Sequence, residues 1–229
     1  MGYLLEGLHH AGELILTLDR EIFTITFISL KISTIAIVSS SLLAVPLGFM
    51  IGINTFRGRG FLITLLNTLM AFPTVVVGLL VYSLVAHNGP LGPMGLLFTP
   101  SAMIMGQFIL ATPIIMSLTA SAVQGVDARI RSTATVLGAN ALQSGIAIVR
   151  EARFALIAAV VAGFGRIIGE VGASMMLGGN IRGYTRNIPT AIALETSKGE
   201  FSLGLALGFI LLAVALIVNF LLRFLQQKK

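Results

Sequence analysis

Between residues 60 and 126 the chain contains no Asp, Glu, Lys or Arg. A soluble domain carries about 25% charged residues, so a charge-free run of this length belongs where water is absent. A bilayer core about 30 Å thick is crossed by roughly 20 apolar residues of helix, and only helices and closed barrels satisfy their backbone there. The run is too long for one crossing. Asn88-Gly89-Pro90-Leu91-Gly92-Pro93 breaks it with turn-forming residues, leaving spans 61–86 and 99–123 with Pro73 and Pro113 at kinks. The whole chain agrees, with 56% apolar and 10% charged residues.

Three more apolar stretches give spans 22–53, 154–177 and 201–222. The first is interrupted only by Lys31, for which snorkelling to the interface is preferred over facing a pathway. Its one internal turn candidate, Pro46-Leu47-Gly48, comes too late to leave two full spans, so one long tilted helix is expected. Five spans put the two termini on opposite sides. The connectors 54–60 and 124–153 and the C-terminal tail share one side and hold nine cations: Arg57, Arg59, Arg129, Arg131, Arg150, Arg153, Arg223, Lys228 and Lys229. The other side holds Arg20, Arg182, Arg186 and Lys198. The positive-inside rule therefore predicts an outside N-terminus and a cytoplasmic C-terminus. The net charge of +6 reports topology in this reading, and the surface is too poor in charge for a nucleic-acid stripe.

The first twenty residues carry Glu6, Glu13 and Asp19 and do not read as a cleavable leader. Leu4, Leu8, Ala11, Ile15, Leu18 and Ile22 recur at helical spacing, which predicts an amphipathic helix on the outer interface. His9 and His10 lack a third ligand at suitable spacing, so no metal site is expected. With no cysteine, disulfides and thiolate chemistry are excluded. Residues 1–229 read as a single transmembrane domain, with no appended regulatory domain expected.

The polar insertion 124–153 has its own helical pattern. Ile130, Ala134, Leu137 and Ala141 line one face, Asp127 suits a helix N-terminus, and Gly138 offers a break between two short helices. The segment is either a surface loop or a dock for a cytoplasmic partner. It resembles the coupling-helix motif of the membrane subunits of ATP-binding-cassette importers: Glu-Ala-Ala, three residues, Gly, nine residues, Ile, one residue, Leu-Pro. Ala134, Gly138 and Ile148 keep that pattern, while Ser132 and Thr133 replace its first two positions and Arg150-Glu151 its last two. The resemblance implies an ATPase-coupling segment containing Asp127, Arg129, Arg131, Ser132, Thr133, Ala134, Gly138 and Ile148.

Further along, Gly169-Glu170-Val171-Gly172-Ala173-Ser174, Gly178-Gly179-Asn180-Ile181-Arg182-Gly183 and Arg186-Asn187-Ile188-Pro189 resemble permeases for molybdate, tungstate and sulfate, and within them the tungstate type. That likeness covers the whole chain. It implies an all-α membrane protein with the type I importer permease fold, in a bacterial or archaeal cytoplasmic (inner) membrane. The implied partners are a second copy of the chain, two cytoplasmic ATPase subunits, an external oxyanion-binding protein and membrane lipid. The chain itself would bind no cofactor, ATP-Mg belonging to the partner, and tungstate would be the substrate, with molybdate or sulfate the alternative.

On physical grounds, Arg166 and Glu170 stand four residues apart in an apolar span, where they either pair structurally or line a cavity. For a dianion, Arg166 offers fixed charge, and Ser174, Asn180 and Thr185 offer hydrogen-bond donors. These residues and Glu170 are the pathway or gate candidates. The glycine pairs 48/52, 165/169 and 204/208 let helices approach within the bundle or across a dimer. No Walker, zincin or nucleophile-elbow motif occurs, and no catalytic residue is assigned. A passive channel would lack the docking segment, and an intramembrane enzyme would need a nucleophile or metal constellation that the spans do not offer.

Overall fold

In a computed structural model, residues 12–13, 17 and 19–227 are described, and they are helical with no strand among them. The expected N-terminal amphipathic helix and the His9–His10 pair fall largely or wholly outside these residues. In chain order the helices are α1 (Arg20–Ile53), α2 (Arg59–Met70), α3 (Thr74–Val85), α4 (Pro100–Gln124), α5 (Ala128–Val136), α6 (Ala141–Ile168), α7 (Gly172–Gly178), α8 (Ile188–Lys198) and α9 (Phe201–Gln227).

The segments Arg20–Ile53, Pro100–Gln124 and Phe201–Phe224 are each long and apolar enough to cross a membrane unaided, and two bent pairs raise the total to as many as five. α1 is one unbroken helix of 34 residues despite Pro46, as expected. Asp19 starts it by accepting the amides of Glu21 and Ile22. Span 61–86, by contrast, is two helices bent by 95°. Pro73 precedes α3 with φ −61° and ψ 123°; it has no N–H and disfavours helical backbone at the residue before it, so α2 ends at Met70 instead of kinking. Pro113 behaves differently and sits inside the continuous helix α4.

Span 154–177 also needs correction. Its helix begins at Ala141 and stops at Ile168, and α7 follows at a bend of 63°. The second half of the polar insertion is therefore the start of a 28-residue helix, not a separate short one. Asn140 and Gln143 form a reciprocal capping box that starts it well before the apolar run.

α1 packs along α4, and the central core joins Ile32 and Ile37 of α1 to Val77 and Val81 of α3, Met103 and Ile115 of α4, Ile167 of α6 and Leu177 of α7. A second cluster, Ile22, Ile25, Ile188 and Leu207, closes one end. A third, with Val123, Ile148, Ala152 and Leu156, closes the basic end against Phe49 and Ile53. The Gly48/Gly52 pair accounts for the close approach of α1 and α4: a Cβ at Gly48 would lie 2.5 Å from the Met116 carbonyl oxygen, and one at Gly52 2.7 Å from Val123 Cβ. The other two pairs do not serve close approach within the chain, since Gly165, Gly169 and Gly208 have nothing within 4 Å of a built Cβ; an approach across a dimer is the alternative left for them. Overpacking costs about 1–3 kcal/mol, so Gly48→Val should lower the thermal unfolding temperature in detergent while Gly208→Val leaves it nearly unchanged; equal losses would refute the contact assignment.

Candidate functional sites: a docking tip and a broken-helix pathway

The candidate docking segment is built on α5. Asp127 is its N-cap, with the carboxylate accepting the Arg129 amide at 2.9 Å. At its far end the amide of Ala139 reaches the Ala134 carbonyl at 2.9 Å and that of Gly138 reaches the Thr135 carbonyl at 3.0 Å. These bonds form a Schellman motif, whose C′ residue must be left-handed. Gly138 has φ +83°, which explains glycine at this position and why the Ala134–Gly138 spacing of four is kept.

The expected apolar face is split. Ile130 and Ala134 turn inward and are half-buried, whereas Leu137 is 81% exposed and Ala141 starts the next helix. Around Gly138, Val136 and Leu142 are exposed as well, 86% and 73%. The apolar tip is therefore formed by Val136, Leu137 and Leu142, which straddle two helices and carry no single-helix periodicity. Ile148 is buried beside Val123 and Ala152, so it anchors α6 and does not reach the tip. Ser132 and Thr133 are exposed, and the Ser132 hydroxyl donates back to the Ala128 carbonyl at 3.2 Å. Arg129 and Arg131 are exposed too, and Arg131 turns toward the end of α1, with Nη1 at 3.5 Å from the Ile53 carbonyl oxygen.

The pathway candidates separate into two groups. Arg166 is exposed in the last turn of α6, on a face otherwise made of Ala155, Ala162, Gly165 and Gly169. Glu170 lies beyond the helix end and is buried, 5% exposed. Of the two alternatives, a structural Arg166–Glu170 pair does not form, because α6 stops at Ile168 and the four-residue relation lapses. The Glu170 carboxylate instead accepts the Ala173 amide at 3.1 Å at the start of α7.

Ser174 and Thr185 are buried in a hydrogen-bond network instead of lining an open cavity. Asn187 donates to the Ser174 hydroxyl at 3.3 Å, and Thr185 donates to the Gly178 carbonyl and accepts the Ile181 amide. Asn180 takes a left-handed φ of 52° next to Gly179, where a Cβ would lie 2.8 Å from Phe98. This network shapes the 179–187 loop.

That loop is tied to α1 by charges that spacing along the sequence did not connect. Glu21 takes Arg182 at 2.5 Å and Arg186 at 3.4 Å, and Arg186 also faces Glu195 at 3.8 Å, which Lys198 reaches at 2.9 Å. Arg186 and Glu195 are largely buried, and removing one partner of such a pair costs about 3–5 kcal/mol. Among the described residues no group of three or more His, Asp or Glu side chains is placed to hold a metal ion.

The family described as binding-protein-dependent transport system inner membrane component matches residues 44–229. The tungstate uptake system permease protein TupB of Peptoclostridium acidaminophilum is 40% identical over 228 residues, covering 100% of both chains. The molybdenum transport system permease protein ModB of Escherichia coli K12 is 28% identical over 76% of this chain and 80% of its own. In fold, the chain matches one from a bacterial ABC transporter involved in the import of the acidic polysaccharide alginate, with a TM-score of 0.73 and 18% identity over 100% of this chain and 91% of that one. The chain is thus a member of the inner membrane components of binding-protein-dependent transport systems.

Proposed function

We propose that the chain is the membrane permease subunit of an ATP-driven oxyanion importer whose substrate is tungstate. The observation that carries the substrate is full-length similarity to a tungstate permease at 40% identity, against 28% for a molybdenum permease. Molybdate, with the same tetrahedral dianion chemistry, is the second reading.

In this account five spans cross the membrane, the N-terminus lies outside, and the basic end faces the cytoplasm. Two copies enclose the path, and each presents Val136, Leu137 and Leu142 to a separate ATPase. Exposed apolar side chains at a water-facing tip mark a partner surface. ATP-driven closure of the ATPases moves the α5 segments and shifts the spans between two states of access. Arg166 faces the path, since an exposed guanidinium this far along an apolar helix is costly against lipid. An external binding protein delivers the anion.

The test is uptake of labelled tungstate into proteoliposomes holding this chain, its ATPase and its binding protein. ATP-dependent accumulation is expected, with unlabelled tungstate competing at least about tenfold better than molybdate, a difference of 1.4 kcal/mol. Better competition by molybdate or sulfate would reassign the substrate, and accumulation without ATP would indicate a channel.

A further inference from the structure

The last four carbonyls of an α-helix have no acceptor role inside it, and at the end of α1 all four are taken. Asn54 covers Met50, with its amide at 3.2 Å and its side chain at 3.0 Å. Arg59 donates from Nε to the Ile51 oxygen at 2.9 Å and from Nη2 to the Gly52 oxygen at 2.8 Å. Arg131 of α5 covers Ile53. Two guanidinium groups thus sit at the negative end of the α1 dipole, although the last turn of α1 contains no basic residue.

Arg59 stands there at a cost to its own helix. It opens α2, where a positive charge opposes the dipole and no acidic residue in the first turn offsets it. Capping alone accounts for Arg59. It does not require a further donor from 78 residues away, on the helix that carries the docking tip.

The other end of α1 is held as firmly. Glu21 binds Arg182 and Arg186 of the 179–187 loop, and Ser29 accepts the Ile188 amide at 2.6 Å. Between these ends α1 runs unbroken for 34 residues, about 50 Å at 1.5 Å per residue, clamped against α4 at Gly48 and Gly52.

We propose that α1 is the rod through which α5 acts on the 179–187 loop, with Arg59 the positioning residue that holds its inner end and Arg131 the link to α5. Displacement of α5 pulls on the α1 terminus through the Arg131 guanidinium, while Arg59 keeps the neighbouring carbonyls of that terminus fixed. The rigid helix delivers that displacement to Glu21, and Arg182 and Arg186 move with it. The inference rests on the reading of α5 as the ATPase dock.

The chain has no cysteine, so one introduced thiol gives one spin label per copy. Two reporters are needed in the full complex in nanodiscs: Thr135→Cys on the exposed side of α5, and Thr24→Cys near the Glu21 end of α1. Distances between the labels of the two copies are measured without nucleotide and with ATP trapped.

Both reporters should shift in the otherwise unchanged complex. With Arg59→Ala, the Thr135→Cys shift should persist, the Thr24→Cys shift should fall by at least half, and substrate stimulation of ATP hydrolysis should drop about tenfold, within the usual span of coupling energies. Arg59→Lys keeps the charge without the two-pronged contact and should fall between; it carries the same comparison if Arg59→Ala does not assemble. An unchanged Thr24→Cys shift in Arg59→Ala, Arg131→Ala and the double variant overturns the rod while leaving the dock intact. If no ATPase co-purifies with the parent chain, or the Thr135→Cys label never moves, the dock reading fails and the rod with it.

Discussion

Arg166→Ala should reduce ATP-dependent tungstate uptake in proteoliposomes at least about tenfold, because it removes the one cation on the small-residue face of α6. Arg166 lies thirteen residues beyond Arg153, about 20 Å further along the helix, and a central arginine costs about 2.5–3.5 kcal/mol on insertion scales even when it is free to snorkel. A guanidinium exposed at that depth on a face of alanines and glycines is stable where it meets water or a second copy. A fixed positive charge there lowers the cost of passing a dianion through a low-dielectric wall. Arg166→Lys keeps the charge and loses the planar fork, so uptake should recover in part. Since Arg166 makes no ion pair among the described residues, assembly and basal ATP hydrolysis should persist in both variants. Wild-type uptake together with wild-type substrate-stimulated hydrolysis in Arg166→Ala would remove the residue from the pathway.

Gly138→Pro should abolish ATPase co-purification or uncouple what remains. Proline fixes φ near −65° and has no amide, whereas Gly138 holds φ +83° and donates to the Thr135 carbonyl. The substitution therefore breaks the turn that sets Val136 and Leu137 against Leu142. Gly138→Ala, which keeps the amide but strains the left-handed backbone by roughly 1 kcal/mol, should weaken association only a few-fold. Pull-down of the ATPase measures both, and a Gly138→Pro chain that retained its ATPase and normal coupled uptake would mean that the tip is not the dock.

Much of this architecture was legible from charge alone. The charge-free run after Gly60 and the turn at Asn88–Pro93 located α2 to α4, and the single long helix at Arg20–Ile53 was expected. Asp127 and Gly138 were readable because caps act over a few residues. Breaks inside apolar runs were harder. Pro73 marked the position but not the 95° angle, and Gly169 read as half of a helical glycine pair although it lies just past the end of α6. Of the two readings for Arg166 and Glu170, the structural pair is not formed, as a spacing of four has meaning only within an unbroken helix. Arg59 and Glu21 carried no signal: the partners of Glu21 lie 161 and 165 residues away, and a basic residue after a helix looks the same whether it caps that helix or faces solvent.

The two breaks also touch. A Cβ on Gly172, at the start of α7, would lie 2.9 Å from Val75 and 3.6 Å from the Thr74 hydroxyl, at the start of α3. Irregular backbone at membrane depth is tolerated only when covered by protein, and the cover for Thr74 is encoded about 100 residues downstream, a delay of about 5–20 s at typical rates of synthesis. Until Gly172 is made, the bend at Thr74 lacks that cover. Truncations ending before Gly172 should be cleared by membrane proteases as unfinished products, however apolar their spans.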